Sequence, residues 1–505
     1  MIAHVVTEIQ SLGVRVGKGL LQRLAGAGPA DAGSLLMNGI AVSVPTGSPY
    51  VSASPYSLRA EEGRVFLCKD KNAVLPVEMT PRPRFYDRTT GDGTACSTVA
   101  LLHGKDCLAT SVLQTCIYWN SESRCRFCGI ELSLKNRQTI LLKTPQRLAE
   151  TAHLAKALDG VGHVVLTTGT GRPPGAEISM LAEACSAIKG AVDLPVHAQF
   201  LPPVDLERLH ELKHSGVDTV GIHIESPDME VLSGMAPVKA AIGLRRYEAA
   251  WKAAVEIFGP NQVSSFLIAG LGERPDSIVA GSERLADLGV YPFIVPLRPI
   301  PGSLMEDALP PDPAIMQGIY EKAARILEKT GLSAAHSLAG CVRCGACSAL
   351  PLFERPEAAL TCHRARTSFE LSQAFDIRRE VFVTEQKIFE TSDRDPDDLN
   401  GIHLVAKQGQ DVVGTVRVFR NGNGNGHWIG GRLAVKKGYR SSGAGELLVR
   451  RAVATVKEQG CTKFTAHIQE DNVPFFSRLG WKGIGMPEPY FGRVHQVMEA
   501  NLEDC

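Results

Sequence analysis

From about residue 105 to residue 335, short apolar stretches rich in β-branched residues alternate with longer stretches of helical pattern. Such alternation predicts parallel strands joined by helices. The six strand candidates are 107–115, 162–168, 195–200, 218–224, 262–269 and 291–297. Six such units favour an open or partial β/α barrel over a doubly wound sheet. No Gly-x-Gly-x-x-Gly motif opens the first unit, which argues against a nicotinamide site.

The barrel is one of several segments that the sequence pattern separates. Four segments are predicted: an N-terminal helix and β-rich lead-in at 1–85, the barrel at 86–335, a cysteine-rich segment at 336–366 and an α+β domain at 367–505. The N-terminal helix is expected to reach about residue 37 and to end in the Gly/Ala-rich stretch 26–33. The predicted elements of the last segment are a helix near 369–384, strands at 402–407, 411–419, 427–435 and 463–468, and helices at 443–459 and 472–479.

The numbers of acidic and basic residues bear on which binding partners the protein could have. Lysine plus arginine and aspartate plus glutamate number 54 each among 505 residues. Nothing in this balance favours nucleic acid or an anionic membrane as the main partner. No apolar run has the length of a membrane span, and the N-terminus lacks the basic start of a signal peptide. We therefore expect a cytoplasmic protein.

Seven of the thirteen cysteines fall into two tight groups, and grouped thiols in a cytoplasmic enzyme usually bind metal. The first group, Cys116, Cys125 and Cys128, has eight and then two residues between its members. Three thiolates make a poor structural zinc site, which normally has four protein ligands. They suit a cubane iron–sulfur cluster with one open iron. The remaining cysteines are interpreted as buried or incidental thiols: Cys68, Cys96, Cys107, Cys185, Cys461 and Cys505.

Polar or glycine-rich turns follow three of the predicted strands. They are Thr167–Gly171, His223–Ser226 and Ala269–Glu273. Their glycines allow a ligand to approach the backbone, and Glu225 could hold an ammonium or a ribose hydroxyl. Taken singly, each is also an ordinary βα turn, and Glu225 could instead pair with Arg245 or Arg246.

Together, the cysteine triad and these turns resemble a radical S-adenosylmethionine (SAM) enzyme over residues 105–335. In that family, three residues separate the first two cysteines and two separate the last two, with an aromatic residue just before the third cysteine. In this chain Phe127 and the two-residue second gap match that pattern, but eight residues separate the first two cysteines. The resemblance assigns Gly169, Thr170 and Gly171 to the SAM amino group, Glu225 and Ser226 to the ribose or carboxylate, and Gly270 and Gly272 to the adenine.

The resemblance implies that Cys116, Cys125 and Cys128 hold a [4Fe–4S] cluster whose open iron binds SAM. One-electron reduction, by a reductant such as flavodoxin or ferredoxin, would then yield a 5′-deoxyadenosyl radical acting on a small molecule. Zinc or inert thiols are the alternatives. Candidates for lining the substrate site, by position only, are His197, Gln199, His223 and Arg298.

The second cysteine group is Cys341, Cys344 and Cys347, with Cys362 following after fourteen more residues. It resembles the start of a bacterial ferredoxin run, which favours a second [4Fe–4S] cluster. A four-cysteine zinc site is the alternative. His363 competes with Cys362 as the fourth ligand.

The stretch Leu433–Gly445 is a predicted strand, a glycine-containing turn and a helix start, where successive amides can bind a pyrophosphate. It resembles the acetyl-CoA motif of GNAT-type acyltransferases, and the resemblance covers about the last 135 residues. It assigns CoA contacts to Val435, Arg440, Ser441, Ser442, Gly443, Ala444, Gly445 and Asn472.

One departure from the GNAT pattern bears on catalysis. The family often has a tyrosine general acid where this chain has Phe476, and phenylalanine cannot donate a proton. Tyr439 or Tyr490 are the alternative acids, and Glu470 and Asp471 are candidate bases.

The combination of barrel and tail resembles radical SAM/acyltransferase proteins of nitrilase-associated gene clusters. A bifunctional enzyme is the favoured hypothesis. The alternatives are a tail that only senses CoA or docks a partner, and a redox or zinc protein without SAM chemistry.

Overall fold

The computed structural model describes residues 2–17, 32–37, 39–61, 64–173, 175–354, 360–365, 367–408, 411–422, 426–440 and 442–502. The chain divides into two compact units, Met1–Arg355 and Pro356–Cys505. Each unit has its own hydrophobic core. Within the described residues, no helix is long and apolar enough to cross a membrane. The four predicted segment boundaries stay predictions.

The first unit begins with one helix and an antiparallel sheet. These elements are α1 (Ile2–Leu12), β1 (Ala32–Met37), β2 (Ile40–Pro45), β3 (Tyr56–Glu61), β4 (Arg64–Lys69) and β5 (Asn72–Met79). The strands lie in the order β2-β1-β5-β4-β3. The helix is shorter than predicted, because the chain turns at Gly13 with φ +74°. The rest of the predicted helix and most of its Gly/Ala-rich end, residues 18–31, lie outside the described residues.

A second sheet forms the barrel of the same unit. Its strands are β6 (Leu101–His103), β7 (Cys107–Ser111), β8 (His163–Thr167), β9 (Val196–Gln199), β10 (Thr219–Gly221), β11 (Val263–Ala269) and β12 (Val290–Pro296). They neighbour one another in sequence order, with β6 antiparallel to β7 and the other pairs parallel. Each of the six parallel strands lies inside its predicted range, except that β12 begins one residue earlier than predicted. The predicted partial β/α barrel is confirmed.

Helices connect most of the barrel strands, and three more follow the last strand. The helices are α2 (Cys96–Val99), α3 (Leu132–Lys135), α4 (Pro145–Asp159), α5 (Ala176–Ala191), α6 (Arg208–His214), α7 (Met229–Met235), α8 (Pro237–Ile242), α9 (Leu244–Phe258), α10 (Pro275–Asp287), α11 (Pro313–Thr330), α12 (Gly340–Cys344) and α13 (Leu350–Phe353). Helix α4 illustrates why they begin and end where they do. Thr144 caps its first turn by accepting a hydrogen bond from Arg147 N, and Gly160 ends it with φ +63°.

The second unit is a seven-stranded sheet with helices on both sides. Its elements are β13 (Thr361–Arg364), α14 (Ser368–Arg378), α15 (Asp397–Asn400), β14 (Ile402–Gln408), β15 (Asp411–Arg420), β16 (His427–Val435), α16 (Ala444–Glu458), β17 (Lys463–Gln469), α17 (Val473–Arg478), β18 (Lys482–Tyr490) and β19 (Arg493–Glu499). The strand order is β13-β14-β15-β16-β17-β19-β18. A π-helical stretch, Arg379–Glu385, continues α14. The predicted elements are present, and β13, β18 and β19 are additional.

The sheet of the second unit opens between β16 and β17. These parallel strands pair from His427 and Lys463 up to Gly430 and Ala466, although they continue to Val435 and Gln469. Beyond that point each strand pairs only with its outer neighbour. The facing edges of β16 and β17 are therefore available to another group.

Candidate functional site

The loop that carries the first cysteine group is packed directly on the glycine-rich turn after β8. Gly169 N donates to Leu113 O over 3.0 Å, and Ile117 N donates to Thr170 O over 3.0 Å. A Cβ on Gly169 would lie 1.8 Å from Thr115 O, so only glycine permits this approach. The turn predicted to hold the SAM amino group is thus fixed beside Cys116.

The three thiols of the first group lie near one another and near a buried ion pair. Burial is the main cause that raises the pKa of the Cys125 thiol to about 12. Lys239 opposes this shift, whereas Cys128, Glu225 and Cys116 add to it. Burial likewise raises the pKa of the Cys128 thiol. Thiols in such a place are stabilised as thiolates by a bound metal, which replaces their protons.

Across the described parts of the chain, no three His, Cys, Asp or Glu side chains are arranged as around one metal ion. In a cubane each thiolate binds a different iron atom, so its ligands need not converge on one point.

Glu225 occupies a strained position in the turn that follows β10. Its φ is +73°, and the backbone is held there because Glu225 N donates to Phe266 O and Ile268 N donates to Glu225 O. Its Oε1 accepts from Lys239 Nζ at 2.6 Å, so its partner is Lys239 rather than Arg245 or Arg246.

The second carboxylate oxygen, Glu225 Oε2, is buried and has no hydrogen-bond partner among the described residues. Burial on its own would lower the pKa of Lys239, but Glu225 raises it above its ordinary value. Lys239 therefore stays charged, and the orphaned oxygen of Glu225 is available to a ligand hydroxyl or ammonium group. This fits the assignment of Glu225 to SAM.

The remaining residues predicted to contact SAM differ in whether a ligand could reach them. Gly272 has φ +119°, and no described atom lies within 4 Å of where its Cβ would be. The amide of Gly270 is already taken, because it donates to Glu273 Oε1 at 2.7 Å. Ser226 is fully buried and accepts from Asp228 N. Phe127 is half-buried against the barrel core.

Of the predicted substrate-lining residues, His197 and His223 lie close together inside the barrel. A Cβ on Gly221 would lie 2.7 Å from His223 Nε2 and 2.9 Å from His197 Nε2, and neither nitrogen has a partner in the described residues. His223 also stacks on Phe266. Arg298 instead donates to Ser43 O, and Gln199 donates to Cys341 Sγ at 3.4 Å.

The members of the second cysteine group belong to both units. Cys341, Cys344 and Cys347 belong to the first unit, whereas Cys362 lies on β13 of the second unit and packs against its core. His363 pairs with Glu370. Two residues that sequence reasoning missed, His103 and Cys107, contact the group instead. Spacing could not reveal them, since they lie more than 230 residues earlier in the chain.

In the second unit, the opening between β16 and β17 leads into a cavity of about 130 Å³. Its lining includes Arg432, Leu433, His467, Asn472, Phe476 and Phe491. Arg432 lies at a bulge of β16 with φ +57° and binds Asp395 at 2.9 Å. An acyl-thioester reaching in along the free edges of the strands would place its acyl group here.

The turn predicted to hold the CoA pyrophosphate lies at the start of α16. Gly443 has φ +85°, and no described atom lies within 4 Å of the position that a Cβ would take, so there is open space on that side of the turn. Arg440 is engaged, because its Nη1 and Nη2 each donate a hydrogen bond to Glu385 at 2.6 Å and its Nε donates to Val435 O at 3.1 Å. Ser442 Oγ donates to Tyr439 O and accepts from Ala444 N, while Ser441 lies outside the described residues.

The cavity contains a candidate base that the sequence did not suggest. His467 lines it, stacks on Tyr490 at 4.5 Å, and has a pKa lowered by burial, so its ring is neutral at pH 7. Phe476 is buried against Phe475 and Trp481 and supplies no hydroxyl.

The acids that the sequence suggested as bases, Glu470 and Asp471, are both exposed on a short 3₁₀ turn. Neither lines the cavity. His467 is therefore the better-placed group to accept a proton.

Comparisons with known proteins agree with both units. Residues 122–280 match the model of the radical SAM superfamily, and residues 370–481 match that of the acetyltransferase (GNAT) family. The chain is 30% identical over 139 residues to a bacteriochlorophyllide c C-7(1)-hydroxylase of Chlorobaculum limnaeum, covering 27% of this chain and 34% of that protein.

Two relatives from Bacillus subtilis (strain 168) match the second unit. YjcF, an uncharacterized N-acetyltransferase, is 29% identical over 124 residues, covering 25% of this chain and 86% of its own. Another protein named as an acetyltransferase is 35% identical over 116 residues, which are 22% of this chain and 77% of that protein. The chain thus spans about a third of the hydroxylase and most of each acetyltransferase.

Proposed function

This chain belongs to the radical SAM superfamily through its barrel and to the GNAT acetyltransferase family through its C-terminal unit, and from that premise we propose a bifunctional enzyme. The barrel would cleave SAM reductively and direct a radical at a small metabolite. The second unit would transfer an acyl group from acetyl-CoA to an amine. Both activities would act in the reduced cytoplasm, where grouped thiols persist.

The observation that carries the first activity is the unpartnered, buried oxygen of Glu225 beside the cysteine triad. Cys116, Cys125 and Cys128 would bind three irons of a [4Fe–4S] cluster. When bound, the cluster and SAM supply a 5′-deoxyadenosyl radical. Glu225, which pairs with Lys239, would accept a hydrogen bond from SAM through its unpartnered oxygen. A flavodoxin or ferredoxin would supply the electron.

The experiment is anaerobic reconstitution with iron, sulfide, dithionite and SAM, followed by measurement of 5′-deoxyadenosine. The wild-type chain should release it, and the variant Cys116→Ala/Cys125→Ala/Cys128→Ala should not. Cys185→Ala, which removes a buried thiol of helix α5 outside the site, is the matched control. A fully loaded wild-type protein that releases none would overturn the proposal. Screening metabolite pools for faster release would then find the substrate class.

The second activity is supported by the cavity at the opening between β16 and β17. The amides at the start of α16 would bind the pyrophosphate, and the edge of β16 beyond Gly430 would bind the pantetheine arm. His467, neutral and at the cavity, would take the proton of the attacking amine. Release of free CoA from acetyl-CoA with a pool of amines tests this activity, and His467→Ala should lower the rate at least tenfold.

A CoA-binding module without turnover is the second candidate, and Phe476 favours it, because no hydroxyl protonates the leaving thiolate at that position. This candidate requires acetyl-CoA to bind while no amine releases CoA. Phe476→Tyr separates the two, since restoring the hydroxyl should create turnover in a silent module. A wild-type chain that already turns over excludes the module.

We also propose that Cys341, Cys344 and Cys347 bind a second metal centre, either a [4Fe–4S] cluster or zinc. Support comes from their placement together in the first unit. Cys362 stays a predicted fourth ligand.

A further inference from the structure

The segment that carries Cys341, Cys344 and Cys347 closes the amino-terminal end of the barrel. Gly340 N donates to His163 Nδ1 at 3.2 Å, and His163 is the first residue of β8. Thr219, the first residue of β10, donates to Ala339 O at 3.3 Å. The second cysteine group therefore lies against the beginnings of β8 and β10, and Gln199 at the end of β9 also reaches Cys341.

Local geometry places the three thiols on one side of this segment. Cys341 and Cys344 are three residues apart on helix α12, so they share a helix face. Gly345 ends the helix with φ +65°, and this turn lets Cys347 return toward the other two. All three thiols interact electrostatically with one another.

A fourth thiol meets this group from the barrel itself. Cys107 is the first residue of β7 and is 2% exposed. Its thiol contacts that of Cys344. Cys107 also pairs across β6 and β7 with His103, whose Nδ1 lies 3.3 Å from Cys344 Sγ.

The backbone is shaped around the same contact. A Cβ on Gly104 would lie 2.6 Å from Cys344 Sγ, so the chain before Cys107 passes directly against a sulfur of the group. Four thiols from two distant parts of one unit thus meet at one place.

We propose that Cys107, Cys341, Cys344 and Cys347 together hold a [4Fe–4S] cluster. This rests on the proposed second metal centre and goes further, since it makes Cys107 the fourth ligand in place of Cys362. In bacterial ferredoxins the C-x₂-C-x₂-C run supplies three corners of a cubane, and a distant cysteine supplies the fourth. Four thiolates leave no open iron, so the cluster carries electrons and binds no substrate.

His103 is a positioning residue for this cluster. Its Nδ1 lies 3.3 Å from Cys344 Sγ and its Nε2 lies 3.4 Å from Cys347 Sγ. Whichever nitrogen carries a proton donates to a ligand sulfur, and such hydrogen bonds raise the reduction potential of a cluster. Removing them lowers the potential without removing a ligand.

The test uses the full-length Cys116→Ala/Cys125→Ala/Cys128→Ala chain, in which only the second site can hold iron. After anaerobic reconstitution it should hold about four iron atoms and four sulfides per chain. Adding Cys107→Ala should remove most of this iron, while adding Cys362→Ala or Cys185→Ala should leave it unchanged. Because the triad is absent, the iron count does not depend on SAM cleavage, and a failure of the SAM proposal would leave it untouched.

Two further variants guard against misfolding. Cys107→Ser keeps the side-chain volume and should retain iron with an altered electron paramagnetic resonance spectrum. His103→Leu should retain iron with a lower reduction potential. The proposal is overturned if Cys107→Ala keeps its iron, if Cys362→Ala loses it, if zinc fills the site in anaerobically purified protein, or if the Cys107→Ser spectrum equals that of the parent.

Discussion

Replacing Lys239 with methionine tests the charge balance at the proposed SAM site. Lys239 Nζ lies 2.6 Å from Glu225 Oε1 and 2.6 Å from His223 O. Methionine keeps a similar apolar stem and removes the charge. The Glu225 carboxylate, whose side chain is 9% exposed, then remains buried without a counter-charge.

The expected cost follows from that burial. Breaking a buried ion pair by removing one partner destabilises a protein by about 3–5 kcal/mol. The carboxylate can avoid part of this cost by binding a proton, but it then loses its charged hydrogen bond to SAM. Such a bond contributes about 1.5–3 kcal/mol, which corresponds to a dissociation constant roughly 10 to 150 times higher.

Denaturant unfolding and anaerobic titration calorimetry with SAM measure the two effects. Lys239→Met should lose both stability and affinity. The double variant Glu225→Gln/Lys239→Met should regain most of the stability while its affinity for SAM stays low. Lys189→Met is the control, because its ion pair with Asp218 is partly exposed and should contribute at most about 1 kcal/mol. A stable Lys239→Met chain, or one with wild-type affinity, would refute the reasoning.

Three further changes test other parts of the molecule. Gly169→Ala should lower 5′-deoxyadenosine release at least tenfold, since its methyl would meet Thr115 O, whereas Gly190→Ala, where no described atom lies within 4 Å, should leave release unchanged. Burial lowers the pKa of Lys143 to about 7, so below pH 7 the folded state carries a buried ammonium group. Between about pH 7 and pH 10 the folded state loses this proton while the unfolded state keeps it, so the free energy of unfolding rises with pH. Lys143→Met should therefore be more stable than wild type by up to about 5 kcal/mol at pH 6, and unfolding curves whose difference does not shrink toward pH 10 would contradict this. Asp398→Asn should destabilise the second unit by about 3–5 kcal/mol in denaturant unfolding, because buried Arg378 loses a carboxylate at 2.6 Å; Asp376→Asn, which is exposed, should not.

How far the sequence predicts this molecule depends on how local each signal is. The parallel strands of the barrel are found because a strand buried on both faces needs a continuous apolar run, as β12 shows with six of its seven residues buried. The hairpin β18–β19 is missed because every residue of β18 is exposed, so no alternation of apolar and polar residues marks it. The cysteine triad is predicted from its spacing together with the turns that follow it in the chain.

Contacts between distant parts of the chain leave no comparable signal, and the two proposed sites depend on them. Lys239 on α8 is the counter-charge of Glu225, whereas the sequence offers only Arg245 and Arg246.

Glycines stand where two segments of the chain pass too close for a side chain, but the sequence alone does not show which glycines these are. A Cβ on Gly340 would meet the ring of His197 at 2.6 Å, and one on Gly162 would meet Asp106 at 2.1 Å and Arg343 at 2.8 Å. Together with Gly104 against Cys344, these positions trace one interface between the cysteine-rich segment and the beginnings of the barrel strands. A segment that merely covered the end of the barrel would tolerate side chains there. The close fit instead holds the sulfur atoms of Cys341, Cys344 and Cys347 next to Cys107. A cluster bound by both parts of the chain requires this placement.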